Sequence, residues 1–149
     1  MIGKYQLEKI ANIPAEVEFA SEFRYRNPIL YKDDVIIAVS QSGETADTLA
    51  ALHLAKREGC LCIGIANTVG SSIARETDAG VYLHAGPEIG VASTKAFSAQ
   101  VLTLSMIAMR LAQERSELDD KTLRRNLDAL RQLPSLMRKV LEQKDTIFQ

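Results

Sequence analysis

The stretch Val35-Ile36-Ile37-Ala38-Val39-Ser40-Gln41-Ser42-Gly43-Glu44-Thr45 decides the fold. It opens with a continuous, largely β-branched apolar run, bounded by Asp33-Asp34 on one side and Ser40-Gln41-Ser42-Gly43 on the other. Short apolar runs of this kind suit strands covered on both faces, as in a parallel sheet. The run predicts a strand over Asp34–Ser40. Helical spacing takes over directly afterwards. Ala46, Leu49, Ala50 and Leu54 share a face of a helix from about Glu44 to Glu58, and Gly59 is a natural stop. A second apolar strand follows over Cys60–Ala66. Then come a turn at Asn67–Gly70, a short helical turn over Ser71–Glu76 and a third strand near Ala79–Leu83. Strands alternating with helices are the pattern of a parallel sheet with helical crossovers.

Either side of this middle the pattern changes. Ile2, Leu7 and Ile10 suggest an N-terminal helix over Ile2–Asn12 that Pro14 stops. Val17 and Phe19 alternate with Glu16 and Glu18, which predicts a half-exposed strand over Ala15–Ala20. Ser21–Arg26 reads as a polar turn or short helix that Pro28 breaks. Phe97, Val101, Leu104, Ala108 and Leu111 mark a long helix over Ala92–Arg115. Leu102, Met106 and Met109 widen its apolar face, so most of it should be buried. After a polar break at Ser116–Asp120, Leu123, Leu127 and Leu130 mark another amphipathic helix. Pro134 is expected to start a last one carrying Leu136, Val140 and Leu141. The expected division is therefore a main domain over residues 1–115 and a helical extension over 116–149.

Composition narrows the function classes. The 149 residues are 46% hydrophobic and 25% charged, ordinary globular values for about one domain. Lys and Arg number 18 against 19 Asp and Glu, a net charge of −1, so no general electrostatic pull toward nucleic acid or anionic membrane is expected. Trp is absent and aromatic residues are few, which argues against base-stacking platforms. No apolar run approaches the ~20 residues that span a bilayer, and no secretory leader is recognised. Two cysteines make no disulfide framework, so a reduced, cytoplasmic domain is the expectation.

The chemistry concentrates at Ser40-Gln41-Ser42-Gly43-Glu44-Thr45, at the carboxyl end of the first strand of the core and the start of a helix. In open α/β sheets ligands bind outside the carboxyl ends of strands. A helix N-terminus offers unpaired N–H groups and a partial positive charge, which favours anions. Ser40, Ser42 and Thr45 add hydroxyls and Gln41 an amide, and Gly43 lets the backbone come close. Neutral donors without Lys or Arg suit a phosphate monoester that must be released. The plain alternative is that Ser42 is an N-cap, Gly43 a turn, and Glu44 and Asp47 complements to the helix dipole. A second segment, Gly86-Pro87-Glu88-Ile89-Gly90-Val91-Ala92-Ser93-Thr94-Lys95, sits at another strand-to-helix crossing. Lys95 in a first helical turn opposes the dipole, which suggests a partner such as Glu88 or an anion; the alternative is a solvated lysine. Cys60 and Cys62 lie in a strand and read as buried thiols, and His53 and His84 lack metal-ligand spacing with them. No Ser, His and Asp arrangement stands out.

Three stretches carry a family resemblance: Ala20-Ser21-Glu22-Phe23-Arg24-Tyr25-Arg26, Ser40 to Thr48, and Glu88-Ile89-Gly90-Val91-Ala92-Ser93-Thr94-Lys95-Ala96-Phe97. They resemble the sugar-isomerase (SIS) domain, in the form of the first such domain of the glutamine–fructose-6-phosphate aminotransferases. The Ser-Gln-Ser-Gly-Glu-Thr element is that of phosphosugar-binding SIS domains at large, and the Glu-Ile-Gly-Val-Ala-Ser-Thr-Lys run narrows it to the aminotransferases. The resemblance implies a three-layer α/β/α fold with a parallel, flavodoxin-like sheet. It implies that Ser40, Gln41, Ser42 and Thr45 hold a sugar phosphate, with the backbone of Val91 approaching the sugar. It further implies an enzyme that makes glucosamine 6-phosphate from fructose 6-phosphate and glutamine, with no metal or organic cofactor. Its partners would be sugar phosphate, a second copy in a homodimer, a glutaminase domain and a second SIS domain.

The family's catalytic residues lie in its other domains, so no catalytic residue is assigned here. The family's first strand, with its Gly-Thr-Ser turn, is expected to precede Ile2, and Pro87 stands where the family commonly has Thr. A sheet without that strand would leave unpaired edges, which recruit partners. The expectation is that the first strand shifts to close the gap, or that the chain dimerises across it. Two other readings are a non-catalytic phosphosugar sensor and a stand-alone phosphosugar aldose–ketose isomerase using Glu88 as base.

Overall fold

A computed structural model describes residues 1–90 and 92–147. The elements are α1 (Ile2–Ala11), α2 (Ala20–Phe23), β1 (Val35–Ser40), α3 (Ala46–Arg57), β2 (Leu61–Ala66), α4 (Ser72–Glu76), β3 (Ala79–Tyr82), α5 (Lys95–Glu114), α6 (Asp120–Leu141) and α7 (Lys144–Ile147). The three strands form one parallel sheet in the order β1-β2-β3. Val35 lies opposite Leu61 and Ser40 opposite Ala66, and Ile63 lies opposite Ala79. A parallel sheet with helical connections is the class that the apolar runs predicted.

The two-residue period of a strand sorts the sheet into two faces. Ile36, Ala38 and Ser40 share a face with Cys62, Gly64 and Ala66. On that face Ala38 and Cys62 pack with Leu52 and Ala55 of α3 and Ile73 of α4, together with Cys60. Leu52 and Ile73 are almost fully buried. Side chains of this size stabilise by about 1.5–3 kcal/mol each when removed from water. This cluster fixes α3 and α4 against the sheet, and so fixes the loops that enter them. A second packing unit joins α1 to α5. A Cβ on Gly3 would lie 2.8 Å from Leu104 Cδ1, so the bare glycine leaves room for the Leu104 side chain of α5 in this rotamer. Gln6 Nε2 donates to Ser105 Oγ at 2.6 Å, and Arg115 Nε donates to the Ala11 carbonyl at 3.0 Å.

Several expectations need correction. The strand over Ala15–Ala20 does not form: the chain from Asn12 to Phe19 is outside any ladder, and α2 begins at Ala20. An alternating segment becomes a strand only where it lies against an edge, and the outer edge of β1, which pairs with β2 alone among the described residues, is not met by this segment. The first strand therefore has not shifted to close a gap. Pro134 starts no new helix; α6 runs through it from Asp120 to Leu141. Asp119 sets the start of α6 by accepting from the Thr122 amide at 2.9 Å, so the helix is established well before the proline is reached. The expected burial of α5 holds only for a stripe of Ala96, Ala108, Met109 and Ala112, whereas Phe97 and Met106 stay half exposed. No described helix is long and apolar enough to cross a membrane.

Candidate functional site

The carboxyl end of β1 delivers Ser40 into a tight turn. Ser40 is buried, and its Oγ accepts the Gly43 amide at 2.9 Å. Gly43 has φ +70°, the left-handed region that a residue with a side chain enters at a cost. A Cβ there would fall 2.1 Å from Ser71 Oγ, so glycine is required twice over. Ser42 Oγ accepts the Glu44 amide at 3.3 Å, and Thr45 Oγ1 lies 2.9 Å from Thr48 Oγ1. Thr45 is the N-cap of α3, but its side chain accepts no backbone amide of the first turn. The amides of that turn are thus left to an external acceptor, at the positive end of a 12-residue helix. Asp47 in the same turn is answered by Arg24, whose Nη1 sits 2.7 Å from its Oδ1. The structure therefore gathers Ser40, Gln41, Ser42 and Thr45 into one turn at the head of α3.

Two neighbouring loops are tied to this turn. Glu44 turns toward α4: its carboxylate accepts the Ser72 amide at 2.9 Å and the Ser72 hydroxyl at 2.6 Å. These bonds, with Arg75 nearby, hold the Glu44 carboxyl below its ordinary range. The Ile73 amide donates to the Gly43 carbonyl at 2.9 Å. Asn67, just past β2, joins the turn after β1 to the one after β3. Its amide donates to the Gln41 carbonyl at 3.2 Å. Its side chain donates from Nδ2 to the Gly86 carbonyl at 2.7 Å and accepts the Ala85 amide at Oδ1 at 2.8 Å. Asn67, Ser71 and the Glu44–Ser72 pair were not singled out from sequence. An Asn directly after a buried strand was the one signal available for them.

The second segment behaves differently from expectation. Glu88 does not pair with Lys95; its Oε2 accepts from Ser93 Oγ at 3.2 Å and from the Ala96 amide at 3.1 Å, capping α5 in place of the missing Thr94 side-chain bond. Val91 lies outside the described residues. His53 forms a surface pair with Glu76 at 3.4 Å. Cys60 and Cys62 are buried free thiols, and burial pushes both up from their ordinary value. Among the described residues no three His, Cys, Asp or Glu side chains gather as a metal site.

The model of the SIS domain matches residues 1–110. The chain belongs to the SIS domain family. Its relatives agree with the narrower resemblance of the Glu88–Phe97 run. The glutamine–fructose-6-phosphate aminotransferase (isomerising) of Chlorobaculum tepidum is 56% identical over 99% of this chain, which is 24% of that protein. Form 1 of the enzyme from Rattus norvegicus is 47% identical over 99% of the chain and 21% of its own length. The chain thus spans about a quarter of the length of the curated relatives it matches. Among solved structures, the C-terminal domain of glucosamine-fructose-6-phosphate aminotransferase from Francisella tularensis superposes with a TM-score of 0.93 at 38% identity, over 99% of this chain and 42% of that one. The parallel sheet with flanking helices is accordingly the SIS three-layer α/β/α arrangement.

Proposed function

We propose that this SIS domain is the fructose 6-phosphate-binding part of the isomerase region of an enzyme that makes glucosamine 6-phosphate from fructose 6-phosphate and glutamine. One observation carries the reading: the uncapped first turn of α3, headed by the hydroxyls and amide of Ser40, Gln41, Ser42 and Thr45. A phosphate there would meet oriented N–H groups and neutral side-chain donors. The names and high identity of the relatives supply the choice of sugar. The backbone of Val91 would face the sugar. Residues 1–115 would be the binding domain and 116–149 a helical linker to a second SIS domain. A glutaminase domain, a second copy of the chain and a cytoplasmic setting complete the proposal, and the bond-making residues would come from outside residues 1–149. A stand-alone isomerase using Glu88 as base is disfavoured, because that carboxylate is engaged by Ser93 and Ala96. The test is an amide-resolved NMR titration with fructose 6-phosphate, with fructose as control. The expected result is shifts concentrated in Ser40–Thr45 and near Val91 with the phosphate sugar alone. Equal shifts with fructose, or shifts confined to other regions, would reject this site.

A further inference from the structure

The ligand turn carries a carboxylate of its own, Glu44, between the donors Ser42 and Thr45. A negative side chain is out of place in a turn read as a phosphate cradle, since like charges repel across a short gap. The structure removes the conflict by turning Glu44 away onto α4. There the carboxylate takes both the amide and the hydroxyl of Ser72. Arg75 Nη2 donates to the same Ser72 Oγ at 3.0 Å, and Arg75 Nη1 donates to the Gly70 carbonyl. A guanidinium, a hydroxyl and a carboxylate thus run in series, and the loop's charge is answered inside the protein. Beside this chain of bonds, the Ile73 amide holds the Gly43 carbonyl and Ser71 packs against the Cα of Gly43. The amide of the same Gly43 is the one that Ser40 Oγ accepts.

We propose that Glu44 is a positioning residue: by hooking its carboxylate to Ser72 at the start of α4, it sets the conformation in which the Ser40–Thr45 turn can receive a phosphate. The consequence for the ligand rests on the function proposed above, whereas the hook itself does not. Glu44 touches no substrate in this scheme. It acts through Gly43, whose carbonyl is held by the Ile73 amide of α4 and whose amide is held by Ser40 Oγ. Ser72 is its partner and Arg75 the counter-charge that keeps the hydroxyl aimed.

Two measurements on the whole chain decide it. The first is amide hydrogen exchange without ligand, comparing the native protein with Glu44→Ala, Glu44→Gln and Ser72→Ala. Loss of charge-assisted bonds is expected to speed exchange at Gly43, Ser72 and Ile73 by about tenfold in Glu44→Ala, with Ile63 and Ile65 in β2 unchanged. Glu44→Gln should recover most of the protection, because an amide can accept from the Ser72 amide and donate to its hydroxyl. Glu44→Ala combined with Ser72→Ala should be no worse than Glu44→Ala alone. Unchanged exchange in Glu44→Ala, or no recovery in Glu44→Gln, overturns the proposal. The second is the affinity for fructose 6-phosphate, expected to fall about tenfold in Glu44→Ala and to return in Glu44→Gln. Native-strength binding in a variant whose turn has loosened overturns the positioning role. If the native chain binds no sugar phosphate, the proposed function fails and the exchange result alone decides the hook.

Discussion

Gly43 sits where two independent demands meet, one from its own backbone and one from a neighbour. At φ +70° an alanine would pay about 1–2 kcal/mol for the left-handed conformation alone. Its Cβ would also stand 2.5 Å from Ser71 Cβ, a contact that rotation of the serine hydroxyl cannot relieve. Gly43→Ala is therefore expected to lower stability by more than the backbone cost, read as a shift in urea midpoint. Adding Ser71→Gly removes the collision and leaves the φ cost, so the double variant should recover part of the loss and stop about 1–2 kcal/mol short of the native protein. Full recovery would mean that the left-handed turn carries no cost here. No recovery would mean that Ser71 is not the obstacle. Both residues were within reach of a sequence reader in unequal measure. Gly43 announces a turn by its type and place, whereas Ser71 matters only because α4 folds back onto it.

The elements that were legible are those whose sequence pattern and surroundings agree. β1 and β2 are apolar along their length and each has a parallel neighbour, so the runs predicted them closely. The segment Ala15–Ala20 alternates as a strand should, but no edge receives it, and the ladder decides against the pattern. Pro134 reads as a boundary, yet α6 carries straight through it, tolerating both the lost N–H bond and the crowding of the ring against the preceding turn. The connections between elements were the least legible part. Asn67 closes the end of the sheet by linking partners at Gln41, Ala85 and Gly86 that are far apart in sequence. Asn67→Ala removes the two side-chain bonds and keeps the backbone one. At about 0.5–1.5 kcal/mol for each bond, the expected loss is about 1–3 kcal/mol in chemical denaturation, with faster amide exchange at Ala85. An unchanged midpoint together with unchanged exchange at Ala85 would show that the turn after β3 is held by other means.

At the scale of the whole molecule, acidic side chains recur where bends, strand starts and helix starts are held. Glu18 pairs with Arg26 across the bend before β1, Glu44 holds α4, Asp78 accepts the Cys62 amide at 2.8 Å, and Asp119 caps α6. Each bond favours the ionised form, so all four carboxyls lie below their ordinary values of 4.5 for Glu and 3.8 for Asp. A folded-state value below the unfolded one gives stability that is fully present above the unfolded value and is lost as pH falls through the folded one. The two buried thiols act at the other end. Burial raises Cys60 and Cys62 above their ordinary 9.0, so the unfolded chain ionises first and stability is lost as pH rises past that value. The thermal midpoint should accordingly be level between roughly pH 5.5 and 8.5 and fall on both sides. The two limbs have different main causes and answer to different substitutions. Asp78→Asn should blunt the acid fall and, because the Asp78 charge adds to burial in raising Cys62, soften the alkaline one only in part, while Cys60→Ala with Cys62→Ala should blunt the alkaline fall and leave the acid one. An alkaline limb that persists unaltered without the thiols would assign it to groups other than the core cysteines. An acid limb untouched by Asp78→Asn would mean that the bond between the start of β3 and Cys62 adds nothing to the pH dependence.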